Sequence, residues 1–352
     1  MTGDVVEFLA AAGSSLERER ARNTVLLTVT AQLRSDPARH SPIAGRAAQP
    51  DLPLFGWWAG HAGTRPPGTG PAGNAQAGSA QGGTAEVGSA PPAGTAETAN
   101  AQPGWAFMHT PPFPLVLSGV PGDIAAGLAT ALAGRPLRGV NAYPEAAGRF
   151  AATWGAAAHC QIAVHNRQRL YRLAELAWPD PAPEGEPRGA TEADVPLVAE
   201  WFAAFARETH DLGGQHDQAS VVRDRLSHGG VMLWVTGGVP VSVAAASRQV
   251  AGMIRVGPVY TPPELRGHGY ASAVTAALSR QAMVAGAEEV VLYTDLANPV
   301  SNSIYQRIGY QPVEDRVLLA FTEFSLPARN LAFAGVNCLL EGIVLLTGAF
   351  FV

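Results

Sequence analysis

The chain has 352 residues, 47% of them hydrophobic, and a formal net charge of −5. That suits two packed domains and is too near neutral for a general affinity for nucleic acid or acidic surfaces. All 24 basic residues are arginine, so no lysine amine is available to titrate, and Cys160 and Cys338 are too few and too far apart for a disulfide framework or a zinc site, which points to a reducing cytoplasm.

The N-terminus, with Asp4 and Glu7 before a short apolar patch, is not a secretory signal. Helices are expected at 4–20 and 22–34. Leu54-Phe55-Gly56-Trp57-Trp58 and Trp105-Ala106-Phe107-Met108 read as two strands of one hairpin. Between them, 59–104 is low-complexity Gly, Ala, Pro, Thr and Ser. It cannot bury enough apolar surface to offset its ordering entropy, so a disordered insertion is expected there. Further strands are expected at 113–118, 137–141 and 160–176, and helices at 122–133 and 144–157. Asp180-Pro181-Ala182-Pro183-Glu184-Gly185-Glu186-Pro187 is a Pro-rich acidic linker.

After the linker, Thr191 can cap a helix with Asp194 at the box position, and Val195, Leu197, Val198, Trp201, Phe202 and Phe205 supply its apolar face. A second helix, 218–228, stops at Gly229-Gly230. Strands follow at 231–236 and 240–250, joined through Gly237-Gly238. A strand at 252–261, a helix at 269–285, a strand at 289–295, a helix at 301–308 and a strand at 312–322 complete a mixed sheet with helices on both faces. The fold class is therefore α/β, an α+β mixed sheet. The final stretch, 331–352, is almost wholly apolar, broken by Asn337 and Glu341. It reaches the roughly 20 residues of a membrane span, but Glu341 near its centre would cost about 2.5–3.5 kcal/mol on insertion. A C-terminal anchor, a helix packed on a partner and an appended stretch without a role all remain open.

The most informative stretch is Val256 to Ala271. A β-branched run ends at Pro262-Pro263, and Arg266-Gly267-His268-Gly269-Tyr270-Ala271 leads into a helix. A glycine-bearing turn at a helix start gathers unpaired backbone N–H groups around one point, which can bind phosphate. Gly267-x-Gly269-x-x-Ser272 also approaches a dinucleotide fingerprint, with Glu288 or Glu289 near the distance for a ribose contact, but the third glycine is missing and the motif lies late in the chain. Arg266-x-x-Gly269-x-Ala271 resembles the pyrophosphate loop of the GNAT (N-acetyltransferase) superfamily. Asn298-Pro-Val-Ser301-Asn-Ser-Ile304-Tyr305-Gln-Arg307-Ile-Gly309-Tyr310 resembles a second segment of that family, at the expected distance and with a strand, 290–294, between them.

The resemblance implies a GNAT fold in 188–323 and a degenerate GNAT-like unit in 1–178, as in two-part bacterial members, with 179–187 as linker and 324–352 as an apolar tail. The first half has no Arg-x-x-Gly-x-Ala turn; His109-Thr110-Pro111-Pro112 matches Tyr260-Thr261-Pro262-Pro263 in part, without a glycine loop after it. The implied co-substrate is acetyl-CoA, with no metal. Its phosphates would lie on the backbone of Arg266, Gly267, His268, Gly269, Tyr270 and Ala271, and its pantetheine arm on the strand edge at Val259, Tyr260 and Thr261. Asn298 matches the family's cofactor-contacting Asn, and also suits a helix-entry turn. Tyr305 matches the general acid. A tyrosine of pKa about 10 stays protonated at neutral pH and can pass its proton to a thiolate whose thiol has pKa about 8.5; a half-buried helix tyrosine is the plainer alternative. The acceptor would be an amine, small molecule or peptide, with no nucleic-acid partner and a membrane only if the tail is an anchor. The base is open: Arg255–Thr261 contains no acid, Glu264 lies in the turn, and Glu208, His210, Asp211, His216 and Asp217 cluster between two helices. Deprotonation through water is a further route. An acyl-CoA-binding or regulatory module without catalysis is the alternative from another class.

Overall fold

The computed structural model describes residues 1–35, 52–58, 104–209 and 217–323. The expected disordered insertion, apart from Gly104, lies outside the described residues, as do the apolar tail 324–352 and the candidates His210, Asp211 and His216.

The first half runs α1 (Val5–Arg18), α2 (Thr24–Ser35), β1 (Leu54–Trp58), β2 (Trp105–His109), β3 (Leu115–Ser118), α3 (Gly122–Ala131), β4 (Gly139–Ala142), α4 (Pro144–Ala158) and β5 (Cys160–Leu173). The second runs β6 (Glu186–Gly189), α5 (Val195–Glu208), α6 (Gln218–Leu226), β7 (Val231–Thr236), β8 (Val239–Ala246), β9 (Met253–Tyr260), α7 (Tyr270–Val284), β10 (Glu289–Asp295), α8 (Pro299–Arg307) and β11 (Tyr310–Glu323). Local chemistry sets the ends. Asp4 accepts from Val6 N and Glu7 N at the start of α1, and Asp217 caps α6. The Thr191–Asp194 capping box is present, over a short 3-10 turn before α5. β6 is a strand that the linker reading did not anticipate. Its Pro187 is an edge residue, and no ladder is lost where no neighbour stands beyond it.

The two halves repeat one order: a helix pair, three antiparallel strands, a helix, a strand parallel to the third, a helix, and a last antiparallel strand. β3 pairs β4 in parallel, as β9 pairs β10. Even β6 has a trace of a counterpart, since Thr2 forms a bridge with Phe55 on β1. All strands join one mixed sheet in the order β1-β2-β3-β4-β11-β5-β10-β9-β8-β7-β6. The two final strands are exchanged. β5, from the first half, lies against β10, and β11, from the second, lies against β4.

The exchange is fixed by side chains as well as by the ladder. Phe321 on β11 stacks with Phe150 and Trp154 of α4, at 6.4 and 6.2 Å. Tyr171 on β5 is fully buried, and its hydroxyl donates to Asn302 Oδ1 on α8 at 2.9 Å. Two close backbone approaches permit the packing. A Cβ on Gly139 would overlap the carbonyl oxygen of Leu319, and one on Gly309 (φ +101°) that of Glu175. Ala174 N and Ala177 N bond the carbonyls of Gly309 and Ile308, both at 3.1 Å, so the chain leaving β5 is held against the turn before β11.

Residues 180–323 expressed alone lack β5, and with it the strand between β10 and β11. They should show no cooperative thermal unfolding, whereas co-expression with 1–179 should give a complex that copurifies and melts as one species. A cooperative transition of the isolated segment at the full chain's Tm would refute that dependence.

Candidate functional site

After β9 the chain makes a 3-10 turn at Pro263–Leu265, closed by Leu265 N to Pro262 O at 2.9 Å. Gly267 (φ +83°) and Gly269 (φ +80°) then take left-handed backbone, and α7 begins with Gly269 as a cap that supplies no side chain. Such backbone is costly for other residues, which is why glycine stands at both positions. The first helix-type bond is Ala273 N to Gly269 O at 3.1 Å. Among the described residues, the N–H groups of Gly267 through Ser272 therefore have no acceptor. A row of donors on alternating backbone at a helix N-terminus is an anion cradle.

The cradle opens on a cleft of about 680 Å³. Thr261 and Arg266, Gly267, His268, Gly269, Tyr270 and Ala271 line it, with Val300, Ile304 and Arg307 of α8 on one side. The remaining wall is unexpected: Trp178, Pro179, Asp180 and Pro181, from the segment read as a linker. This segment is not a free spacer. Trp234 Nε1 and Thr236 Oγ1 both donate to Glu184 O, at 2.9 and 3.0 Å. The Arg280 guanidinium stacks on the Trp178 ring at 4.9 Å.

The Arg266 side chain faces away from phosphate duty. Its Nε donates to Thr261 O at 2.9 Å, and its Nη2 donates to both oxygens of Glu208 at 3.1 and 2.8 Å. It also lies over the Tyr260 ring at 5.7 Å. Tyr260 donates to Glu208 Oε1 at 3.1 Å, and burial, with the carboxylate beside it, raises the phenol above its ordinary value. Glu208 is thus a partnered brace of the loop, placed by the last turn of α5. His268 stacks on Tyr270 at 5.4 Å and Glu264 is exposed.

β9 pairs β10 only from Met253↔Glu289 to Val256↔Leu292. Beyond that, β9 runs on to Tyr260 beside β8, and β10 runs on to Asp295 beside β5. The two parallel strands part, leaving a gap whose β9 edge carries Val259, Tyr260 and Thr261. Pro258 has no N–H, so donors on that edge start at Val259. Val259 and Tyr260 are themselves buried.

The other two candidates sit outside the cleft lining. Asn298 is buried and caps α8, its Oδ1 accepting from Ser301 N at 3.0 Å. Tyr305 is fully buried, edge-on to Tyr310 at 6.1 Å, and burial pushes its pKa well above the ordinary value. Among the described residues, no group of three or more His, Cys, Asp or Glu could hold a metal ion.

Residues 242–319, from β8 through the loop to β11, match the FR47-like protein family. No curated protein matches the chain. Its fold is similar to a GCN5-related N-acetyltransferase from Kribbella flavida, at 20% identity over 61% of this chain and 86% of that one, TM-score 0.43. It is likewise similar to one from Sphaerobacter thermophilus, at 17% identity over 61% and 79%, TM-score 0.45. A third, an acetyltransferase from GNAT family from Colwellia psychrerythraea, shares 11% identity over 62% and 80%, TM-score 0.43. Among the described residues no helix is long and apolar enough to cross a membrane.

Among the described residues, the second half alone keeps the cradle. Its counterpart in the first half is the turn from β3 to α3, where Pro121 caps the helix and offers no N–H. The Glu145 carboxylate lies over Gly122, where an anion would have to sit. The partial echo at His109–Pro112 follows β2, whereas Tyr260–Pro263 follows β9, the counterpart of β3, so the two prolyl turns are not equivalent positions.

The brace gives a prediction. Glu208→Ala removes a pair whose side chains are about one-third exposed, so denaturant unfolding should show a loss of no more than about 1 kcal/mol. Amide exchange at 266–272 should rise, while the rest of the sheet stays protected. Unchanged exchange in the loop would remove Glu208 from its support.

Proposed function

We propose that the chain is an acetyl-CoA-dependent N-acetyltransferase acting on an amine. The observation that carries this reading is the run of unpartnered N–H groups from Gly267 to Ser272 facing the cleft. It suits a pyrophosphate, which needs several donors and no water between them. The gap between β9 and β10 suits an extended arm with amides, because the edge of β9 can pair with it as a further strand would.

In this reading the backbone of 266–271 holds the phosphates, the edge at Val259, Tyr260 and Thr261 takes the pantetheine arm, and Arg266, tied to Thr261 and Glu208, keeps the loop in shape. The acceptor nitrogen attacks the thioester carbonyl carbon. The carbonyl oxygen becomes an oxyanion, stabilised by an N–H on the β9 edge. The C–S bond then breaks and the thiolate takes a proton from Tyr305. Burial favours the neutral phenol, so the acid form persists across the working range. Water carries the amine proton away, since Glu264 is exposed and Glu208 is engaged by Arg266 and Tyr260. A silent acyl-CoA-binding module is the second reading. The burial of Tyr305 away from the cleft lining favours it.

Gly269→Glu forces a side chain onto left-handed backbone and puts a negative charge at the cradle. Calorimetry should find acetyl-CoA bound at least tenfold more weakly. Wild-type affinity in a folded variant would sink the cofactor assignment.

Tyr305→Phe tests the general acid, and wild-type turnover with a panel of amines separates the enzyme from the silent module. Loss of a general acid should cut turnover about 10²–10⁴-fold, with the acetyl-CoA dissociation constant almost unmoved. The sign of the pH effect follows from burial. A raised pKa keeps the phenol protonated to higher pH, so any fall in rate from its ionisation belongs above pH 10, the ordinary tyrosine value. A fall in wild-type rate between pH 8 and 9 that is absent in the variant would contradict this. Near-normal turnover in the variant would reject Tyr305 as the acid.

A further inference from the structure

The sheet face opposite α7 and α8 is unusually polar at its centre. Laterally paired residues share a face, and alternate residues along a strand return to it. Arg255 on β9 pairs Val291 on β10, which puts Arg255, Val291 and Tyr293 on one face. Tyr293 pairs Leu170, which pairs Glu314, and Gln168 pairs Arg316. Tyr171, on the other face, reaches α8, so this group faces α5, α6 and the turn between α1 and α2. Arg22 from that turn meets Glu314 at 3.5 Å, and the buried Arg225 of α6 lies near enough to Arg255 for their charges to interact.

Several polar atoms in this layer have no partner among the described residues although they are buried: Tyr293 Oη, Gln168 Nε2, and Nε and Nη1 of Arg225. Buried polar atoms are nearly always paired, and their clustering on one face asks for a ligand or ordered water. Arg316 is met by Glu314 at 3.1 Å and by Asn141 Oδ1 at 2.8 Å. Glu289, lower on β10, lies 4.0 Å from Arg20 and 3.8 Å from Arg172. Asp224 is held by Arg248 at 2.9 Å, and Glu208 is held by Arg266 and Tyr260. Arg225 and Arg255 are left with no carboxylate partner among the described residues. Burial lowers both, and the like charge of Arg255 adds to the lowering of Arg225, to about 10, against a smaller opposite pull from Asp224. A buried guanidinium without a counter-charge is unfavourable, and its planar fork matches a carboxylate.

The place matters as much as the charge. β9 and β10 part just after Val256↔Leu292, and Tyr293 is the next residue. The polar layer therefore begins where a thioester threaded through the gap would emerge. β5 contributes Gln168, so the first half supplies part of the same floor.

We propose that the acceptor is an amine that also carries a carboxylate, with Arg225 and Arg255 binding the carboxylate and Tyr293 and Gln168 lining the approach of the amine to the gap. This rests on the acetyl-transfer reading and narrows its substrate class. The two cations make an amine-only acceptor unfavourable, because it would bring a further positive charge beside them and nothing to meet their guanidinium groups.

The test uses the full chain with acetyl-CoA and a panel of α- and ω-amino acids, each beside its primary amide. The amide keeps the amine and the carbon skeleton and removes only the negative charge. For the preferred pair, kcat/KM should favour the acid at least tenfold. Arg255→Met and Arg225→Met should each collapse that ratio towards one, with Arg255→Lys retaining part of it. Amides used as well as acids by the wild type, or a ratio that survives both substitutions, would overturn the proposal. Should an arginine variant fail to fold, the wild-type comparison alone decides. Calorimetry with acetyl-CoA stands apart. If acetyl-CoA does not bind, the acetyl-transfer reading fails by itself, and titration of the same acids and amides without it still tests the arginine pair. Tighter binding of an acid would then uphold the carboxylate site, and equal or absent binding would reject it.

Discussion

The antiparallel ladder between β5 and β11 is the constraint on which the molecule depends. Each strand has 14 residues, each belongs by sequence to one half, and each completes the sheet of the other. Without β5, β10 has no neighbour on its far side and the polar floor loses Gln168. Without β11, the first half loses Phe321 from its aromatic stack and Arg316 from Asn141. The glycines at 139 and 309 serve this ladder, since each lets one backbone pass where a side chain would collide with another. The repeat of element order then makes sense as two units that each close only in the presence of the other.

The loop after β9 shows how a binding surface is built almost without side chains. Two left-handed glycines turn successive N–H groups the same way, and the helix start leaves them unmet. The one strongly basic side chain in the loop is spent on structure, bridging Thr261 and Glu208. Any substitution at Gly267 or Gly269 would disturb that geometry, since both stand on left-handed backbone. The first half repeats the strand, turn and helix but puts Pro121 and Glu145 at the corresponding point. The same architecture therefore carries one cradle and one dead counterpart, distinguished by a missing N–H and an intruding carboxylate.

Much of this was legible in the sequence, for identifiable reasons. Element order followed from period-2 and period-3.6 patterns and from Gly and Pro breaks; the strand at 289–295 and the helix start at 122 coincide with the structure. The glycine turn into α7 was legible because glycine spacing is local information. What sequence could not carry was lateral neighbourhood. Nothing in Cys160–Leu173 says that it will pair with β10, so Gln168 could not be placed beside Tyr293. Nothing local marks Arg225 or Arg255, and only strand register puts Arg255 on the inner face. Pro-rich 180–187 was read as a spacer because composition reports stiffness and not what the segment rests on. Glu208 was read as part of a solvated loop, and its bidentate contact with Arg266 depends on how α5 crosses β9.

The exchanged strands also bear on how the chain is made. At about 5–20 residues per second, the ribosome delivers β11 roughly 8–30 seconds after β5 has emerged. Through that interval β4 presents an open edge, and both sides of β5 await partners, β10 and β11, not yet synthesised. Open edges invite pairing with the wrong strand, including one from a neighbouring nascent chain. The short β4 of four residues offers little to such a partner, which suits an edge that must wait. The exchange that ties the finished molecule together thus leaves its first half exposed longest during birth, and protects it by brevity.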